Sequence, residues 1–214
     1  MKVKSSCIAL CVLLFMLTTT VTAYSTDNFS IEINEEYEVQ EEEGQVMFRN
    51  KETKDNILVQ EIEQKVIGGK LTSYQLKSIT SEITNQYKDL YDADVEEIGK
   101  KEVTINGRKV TKMNFKATLM GTDIYQELNI FVSKDKIYDI IFTSTSEKGF
   151  SEEEKSSILN SFTILNETSN SVEYENNEAS FDIRLVVIGM AIIILIAATI
   201  IIRLIRKSKK DEQY

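Results

Sequence analysis

The sequence predicts an α+β domain, an antiparallel β-sheet flanked by helices, followed by one C-terminal transmembrane helix. Three observations predict it. Through the middle of the chain, short runs carry apolar residues at every second position, the period of half-buried strands. Two segments break that period with apolar residues three and four apart, each opened by a Thr or Ser with Gln or Glu three residues on. Near the end, residues 185–202 are eighteen positions without a charge; at about 1.5 Å rise per residue a helix of that length crosses hydrocarbon.

Taken in order, residues 1–23 read as a secretory signal peptide. Lys2 and Lys4 precede an apolar stretch over 7–17, and Val21-Thr22-Ala23 offers small or slim residues before a cut after Ala23. Both cysteines, Cys7 and Cys11, lie inside that leader, so the exported chain has no thiol and no disulfide. Residues 24–165 then supply one domain's length of chain.

Within it, Phe29, Ile31 and Ile33 alternate with polar residues, Val46 and Phe48 repeat the pattern, and Ile57 and Val59 open a run to Ile62. A helix follows. Thr72 with Gln75 has the spacing of a capping box, Leu71 with Leu76 that of a hydrophobic staple, and Leu76, Ile79, Ile83, Tyr87 and Leu90 form one stripe. Next comes a hairpin, Val103 to Ile105 and Val110 to Phe115 around Asn106-Gly107, the pair best suited to the two positive φ angles of a type I′ turn. Ile124, Leu128, Ile130 and Val132 mark another strand, Lys134-Asp135-Lys136 a tight connection, and Tyr138, Ile140 and Phe142 one face of the last. Ser151 with Glu154 caps a closing helix whose buried side is Ile158, Leu159 and Phe162.

Residues 166–183 are a polar linker, 184–205 the transmembrane helix and 206–214 a short basic cytoplasmic tail. Arg203, Arg206, Lys207, Lys209 and Lys210 follow the apolar run, while Glu173, Glu175, Glu178 and Asp182 precede it; positive residues stay inside, which puts the domain outside and the C-terminus in the cytoplasm.

Residues 24–182 hold 17 Lys and Arg against 32 Asp and Glu. An exterior that acidic opposes nucleic-acid binding and favours basic or cationic partners. The expected partners are the lipid bilayer, through the C-terminal helix, and another envelope protein or a cationic ligand. No catalytic, cofactor-binding or metal residue is assigned, and no cofactor is expected. The chain has no His, which removes the commonest base and metal ligand. It also lacks a Gly-x-Ser-x-Gly elbow and a phosphate-cradling glycine loop. Glu41-Glu42-Glu43 reads as a solvated face or loop. Asp92-Ala93-Asp94-Val95-Glu96 begins like a calcium loop, but Glu97 stands where the sharp turn needs glycine.

Four stretches carry a family resemblance: Phe29-Ser30-Ile31-Glu32-Ile33, Ile105-Asn106-Gly107-Arg108-Lys109-Val110, Lys136-Ile137-Tyr138-Asp139-Ile140, and Ser161-Phe162. Over residues 29–165 the chain resembles the PsbP and Mog1 fold superfamily. The resemblance implies an antiparallel sheet flanked by helices, in domains known as extracytoplasmic or lumenal accessory factors and, in Mog1, as a binder of a small GTPase. Members often place proline and an aromatic after the first strand, where this chain has Asn34 and Tyr37, and the metal-binding histidines of photosynthetic members have no counterpart. No functional residue carries over. The expected function is a non-catalytic, membrane-anchored extracytoplasmic binding or scaffolding protein of the cell envelope. The alternatives are an envelope enzyme using carboxylates or a Ser-Lys pair, and a single-span sensor acting through a partner.

Overall fold

Alternation along the strands sorts the domain into two apolar cores on opposite faces of one large sheet. The computed structural model describes residues 21–42, 44–63, 71–91, 93–133 and 136–165, with the backbone alone at 82, 86 and 89–91. Residues 1–20 of the expected leader, the linker, the transmembrane helix and the basic tail lie outside them. Among the described residues no helix is long and apolar enough to cross a membrane.

The elements run β1 (Val21–Ser25), β2 (Phe29–Asn34), β3 (Tyr37–Glu42), β4 (Gln45–Asn50), β5 (Asn56–Glu63), α1 (Ser73–Tyr91), β6 (Val95–Ile105), β7 (Arg108–Leu119), β8 (Thr122–Val132), β9 (Lys136–Ser144), α2 (Glu152–Ser161) and β10 (Thr163–Ile164). Seven strands form one sheet in the order β3-β4-β5-β9-β8-β7-β6, and β1-β2-β10 form a second; every pairing is antiparallel.

One face of the seven-stranded sheet packs Met47, Leu58, Met113, Phe115, Leu128 and Ile141 against Ile79, Ile83 and Tyr87 of α1. The opposite face packs Phe48, Val59, Phe131, Ile140 and Phe142 against Ile31 and Ile33 of β2 and Ile158 and Leu159 of α2. With both faces covered, central β9 is buried along nearly its whole length, and its sequence reads as an apolar run instead of an alternation. Phe162, just past α2, seals the second core: its ring lies 5.0 Å from Phe131, 5.6 Å from Tyr138 and 5.7 Å from Phe29.

Local signals act as the sequence predicts. Thr72 N donates to Gln75 Oε1 at 2.7 Å and Gln75 N to Thr72 Oγ1 at 3.2 Å, both halves of a capping box. At α2 the box is half made. Glu154 N donates to Ser151 Oγ at 3.0 Å, but the Glu154 side chain turns away and accepts from Tyr37 Oη at 2.8 Å, tying β3 to α2. Ile105 pairs with Arg108 across a two-residue turn in which Asn106 (φ 49°) and Gly107 (φ 77°) are both left-handed, the type I′ geometry.

Four pieces of strand lack a sequence signal. Glu41 and Glu42, expected as a solvated face or loop, are the exposed end of β3, an edge strand whose acidic side chains face water. The acidic stretch from Asp94 is also extended: Val95 and Glu96 already belong to β6, and Thr118 N donates to Asp94 O at 3.4 Å. β10 is two residues long. β1 covers Val21-Thr22-Ala23, so the expected cut after Ala23 falls inside it and leaves Tyr24 and Ser25 paired with Ile31 and Ser30.

Candidate functional site

Register across β6 and β7 sets Lys101 directly opposite Lys112, on the face of the sheet that carries α2. Like charges opposite each other destabilise a strand pair unless anions intervene. Here two carboxylates face Lys112, with different freedom. Glu127 of β8 accepts from Lys112 Nζ at 2.7 Å, from Lys155 Nζ of α2 at 2.8 Å and from Asn129 Nδ2 at 3.2 Å. The side chains of Lys112, Lys155 and Glu127 are 11%, 14% and 8% exposed, so these three form a buried ion triad whose geometry must compensate the loss of water. Glu152, in the first turn of α2, also pairs with Lys155 and lies 3.8 Å from Lys112, but its side chain is 80% exposed.

The three lysines converge on Glu152. A hydrogen bond from Lys155 holds its carboxyl below the usual range against a smaller opposing effect of burial, and the charges of Lys112, Lys155 and Lys101 add to the pull. Burial works to lower the pKa of Lys155, yet its bonds to Glu127 and Glu152 together raise it above the ordinary lysine value.

Around these charges the surface opens into a cavity of about 350 Å³, lined by Ile98, Tyr125, Phe142 and Phe150 as well as Lys101, Lys112, Glu127, Glu147, Glu152 and Lys155. A smaller hollow of about 150 Å³ continues along α2 past Val103, Leu159 and Asn129. Two backbone irregularities shape the groove. A β-bulge between Glu97 and Gly99 brings Ile98 to the rim, 51% exposed. At the far end, Gly149 N donates to Ser146 O at 3.0 Å and Ser146 N to Ser144 Oγ at 2.9 Å. A Cβ on Gly149 would fall 1.9 Å from Ser144 Oγ, so glycine alone lets this loop fold against itself and present Phe150, whose ring stacks edge-on with Phe142 at 5.1 Å.

None of these residues was assigned a role from the sequence, which named no site at all. Among the described residues no group of His, Cys, Asp and Glu could hold a metal ion. The sequence does contain a Ser-x-x-Lys spacing, Ser133 to Lys136, but its ends are engaged otherwise: Ser133 N donates to Lys136 O at 2.8 Å and the Lys136 ammonium pairs with Glu61.

No protein-family model matches the chain, and no curated protein does. Solved structures do. The solution structure of cyanobacterial PsbP (CyanoP) from Synechocystis sp. PCC 6803 superposes with a TM-score of 0.53 at 14% identity, covering 69% of this chain and 94% of that one. The fold is PsbP-like. A Bacteroides thetaiotaomicron crystal structure matches 64% of the chain and 44% of its own at 18% identity and a TM-score of 0.42. A Pseudomonas aeruginosa protein of unknown function matches 58% of the chain and 82% of its own at 12% identity and 0.34. In this chain the groove of the PsbP-like domain is built from β6, β7, β8, the end of β9 and α2.

Proposed function

We propose that the chain is a membrane-anchored protein of the cell envelope whose PsbP-like domain lies outside the membrane and binds another envelope component without catalysing a reaction. The order of segments carries the reading: an acidic folded domain between a lysine-headed apolar leader and a charge-free run of eighteen residues with basic residues after it. The charged groove agrees with binding. Lys112 and Lys155 both pair with the buried Glu127, a fixed arrangement of charge that suits recognition of a charged partner.

Fractionation tests the reading. In cells expressing the full chain, the protein should stay with membranes after an alkaline carbonate wash, and a chain lacking 184–205 should be released. Protease added to intact spheroplasts should digest the domain and spare a tag on the C-terminus. Recovery of the full chain in the soluble fraction would remove the anchor from the proposal.

A further inference from the structure

We infer that the groove beside α2 binds a small organic anion, a carboxylate or phosphate carried on an apolar or aromatic body, and that Glu152 occupies the anion's place until it arrives. The inference deepens the binding role proposed above by naming a ligand class, and it holds whether or not the chain is tethered.

Charge is the first support. Residues 24–182 are strongly acidic, yet Lys101, Lys112 and Lys155 converge at one place, two of them on adjacent strands in direct register. Glu127 cannot leave: it is buried and accepts from three donors. Glu152 can. Its carboxylate reaches Lys112 and Lys155 from the solvent side with its side chain 80% exposed, and ion pairs so exposed are weak. Displacing it exposes a site with Lys101, Lys112 and Lys155 against Glu127 and Glu147, one positive charge in excess. An incoming carboxylate or phosphate restores the balance that Glu152 provided.

The walls supply the second support. Exposed Ile98, half-buried Tyr125 and Phe150, and the Phe142 ring behind them form an apolar side to the cavity. Its volume of about 350 Å³ is at the small end of ligand pockets, which run from about 300 to 1,000 Å³; a bare inorganic ion would leave most of it unfilled. A third observation is independent of charge. Asn129 lines the continuation of the groove, is fully buried, and has a side-chain Oδ1 that no donor among the described residues reaches. Buried acceptors are rarely left so, and a donor on the ligand's body would satisfy it.

Calorimetric titration of the full chain in non-ionic detergent tests the inference, with phenyl phosphate, benzoate, inorganic phosphate and benzyl alcohol as probes. Phenyl phosphate or benzoate should bind saturably and more weakly as salt is raised. Inorganic phosphate should bind less well than phenyl phosphate, and benzyl alcohol not at all. The tighter of the two aromatic anions identifies the head group. Lys101→Gln and Glu152→Gln both alter exposed side chains, so both variants should fold, as circular dichroism will verify. The first should weaken binding and the second tighten it, each by about threefold or more, the scale of one exposed charge interaction. Absence of saturable binding in the Glu152→Gln protein would overturn the inference, as would binding indifferent to both substitutions. Neither result bears on the anchor, which fractionation tests separately.

Discussion

Asp139 sits at the middle of β9 with no solvent exposure, opposite Gln60 on one neighbouring strand and Ile130 on the other. Neither of its carboxylate oxygens has a hydrogen-bond partner among the described residues. Burial therefore pushes its pKa well above the ordinary 3.8, because the charged form has no compensation. Glu127, also buried, differs in having two lysines and an amide around it. The sign of the pH dependence follows. A raised folded-state pKa means that the folded chain holds a proton the unfolded chain releases. The associated stability is complete below about pH 3.8 and is lost as pH rises from there toward the folded value. Asp139→Asn keeps the shape and removes the titration. The variant should be more stable than the parent at pH 7, by about 1 kcal/mol or more, and equal to it near pH 3. Denaturant melts from pH 3 to 8 measure this; an unchanged slope in the variant would assign the pH dependence to another group.

Elements were legible in the sequence wherever a local rule was obeyed without competition. The capping box at Thr72 and Gln75, the stripe Leu76, Ile79, Ile83 and Tyr87, and the alternation of Phe29, Ile31 and Ile33 name their structures outright; at α2 the Ser151 cap holds while Tyr37 takes the Glu154 side chain. β3 was not legible because an edge strand needs few apolar residues, and β10 because two residues carry no period. The groove was missed for a different reason. Lys112 follows Val110 on one face of β7, and Glu127 shares the face of β8 that carries Phe131; a charge on a core-facing position is a signal, but its partner on α2 is distant in sequence. The β6–β7 hairpin shows both outcomes in two residues. Gly107 is a turn glycine, and Gly107→Val, which forces a β-branched residue to positive φ, should cost about 1–3 kcal/mol. Asn106 does more than turn: its Nδ2 donates to Asn160 O, at the end of α2, at 2.5 Å. Asn106→Asp keeps the left-handed preference and loses that donor, so it should cost about 0.5–1.5 kcal/mol. A thermal melt of Asn106→Asp that matches the parent would show that the tether to α2 contributes nothing.

For the whole molecule, the open matter is whether an N-terminus created at Tyr24 still closes the domain. Residues 21–23 are mostly exposed and pair only with β2, at the rim of the smaller sheet, so their loss removes edge pairing and little apolar contact. Tyr24 is different. Its ring meets Phe48 edge-on at 5.3 Å and Phe29 at 6.3 Å. Burial, then a hydrogen bond to Glu41 and its charge, raise the hydroxyl to about 12. The first residue after the expected cut is thus the one that fastens β1 to the second core. At the other end, Leu165 N donates to Asn28 O at 2.7 Å, bringing the exit toward the linker beside the start of β2. A chain of residues 24–166 should therefore melt cooperatively, within a few degrees of one beginning at Val21, since edge pairing of this kind is worth about 1 kcal/mol or less and shifts the midpoint of a domain this size by about 2–4 °C. Tyr24→Ala in that chain should cost a further 1–2 kcal/mol or about that, from the lost aromatic contacts and their buried area. A broad, non-cooperative melt of residues 24–166 would mean that the fold needs chain on the far side of one of these boundaries, and would move the leader's end upstream of β1.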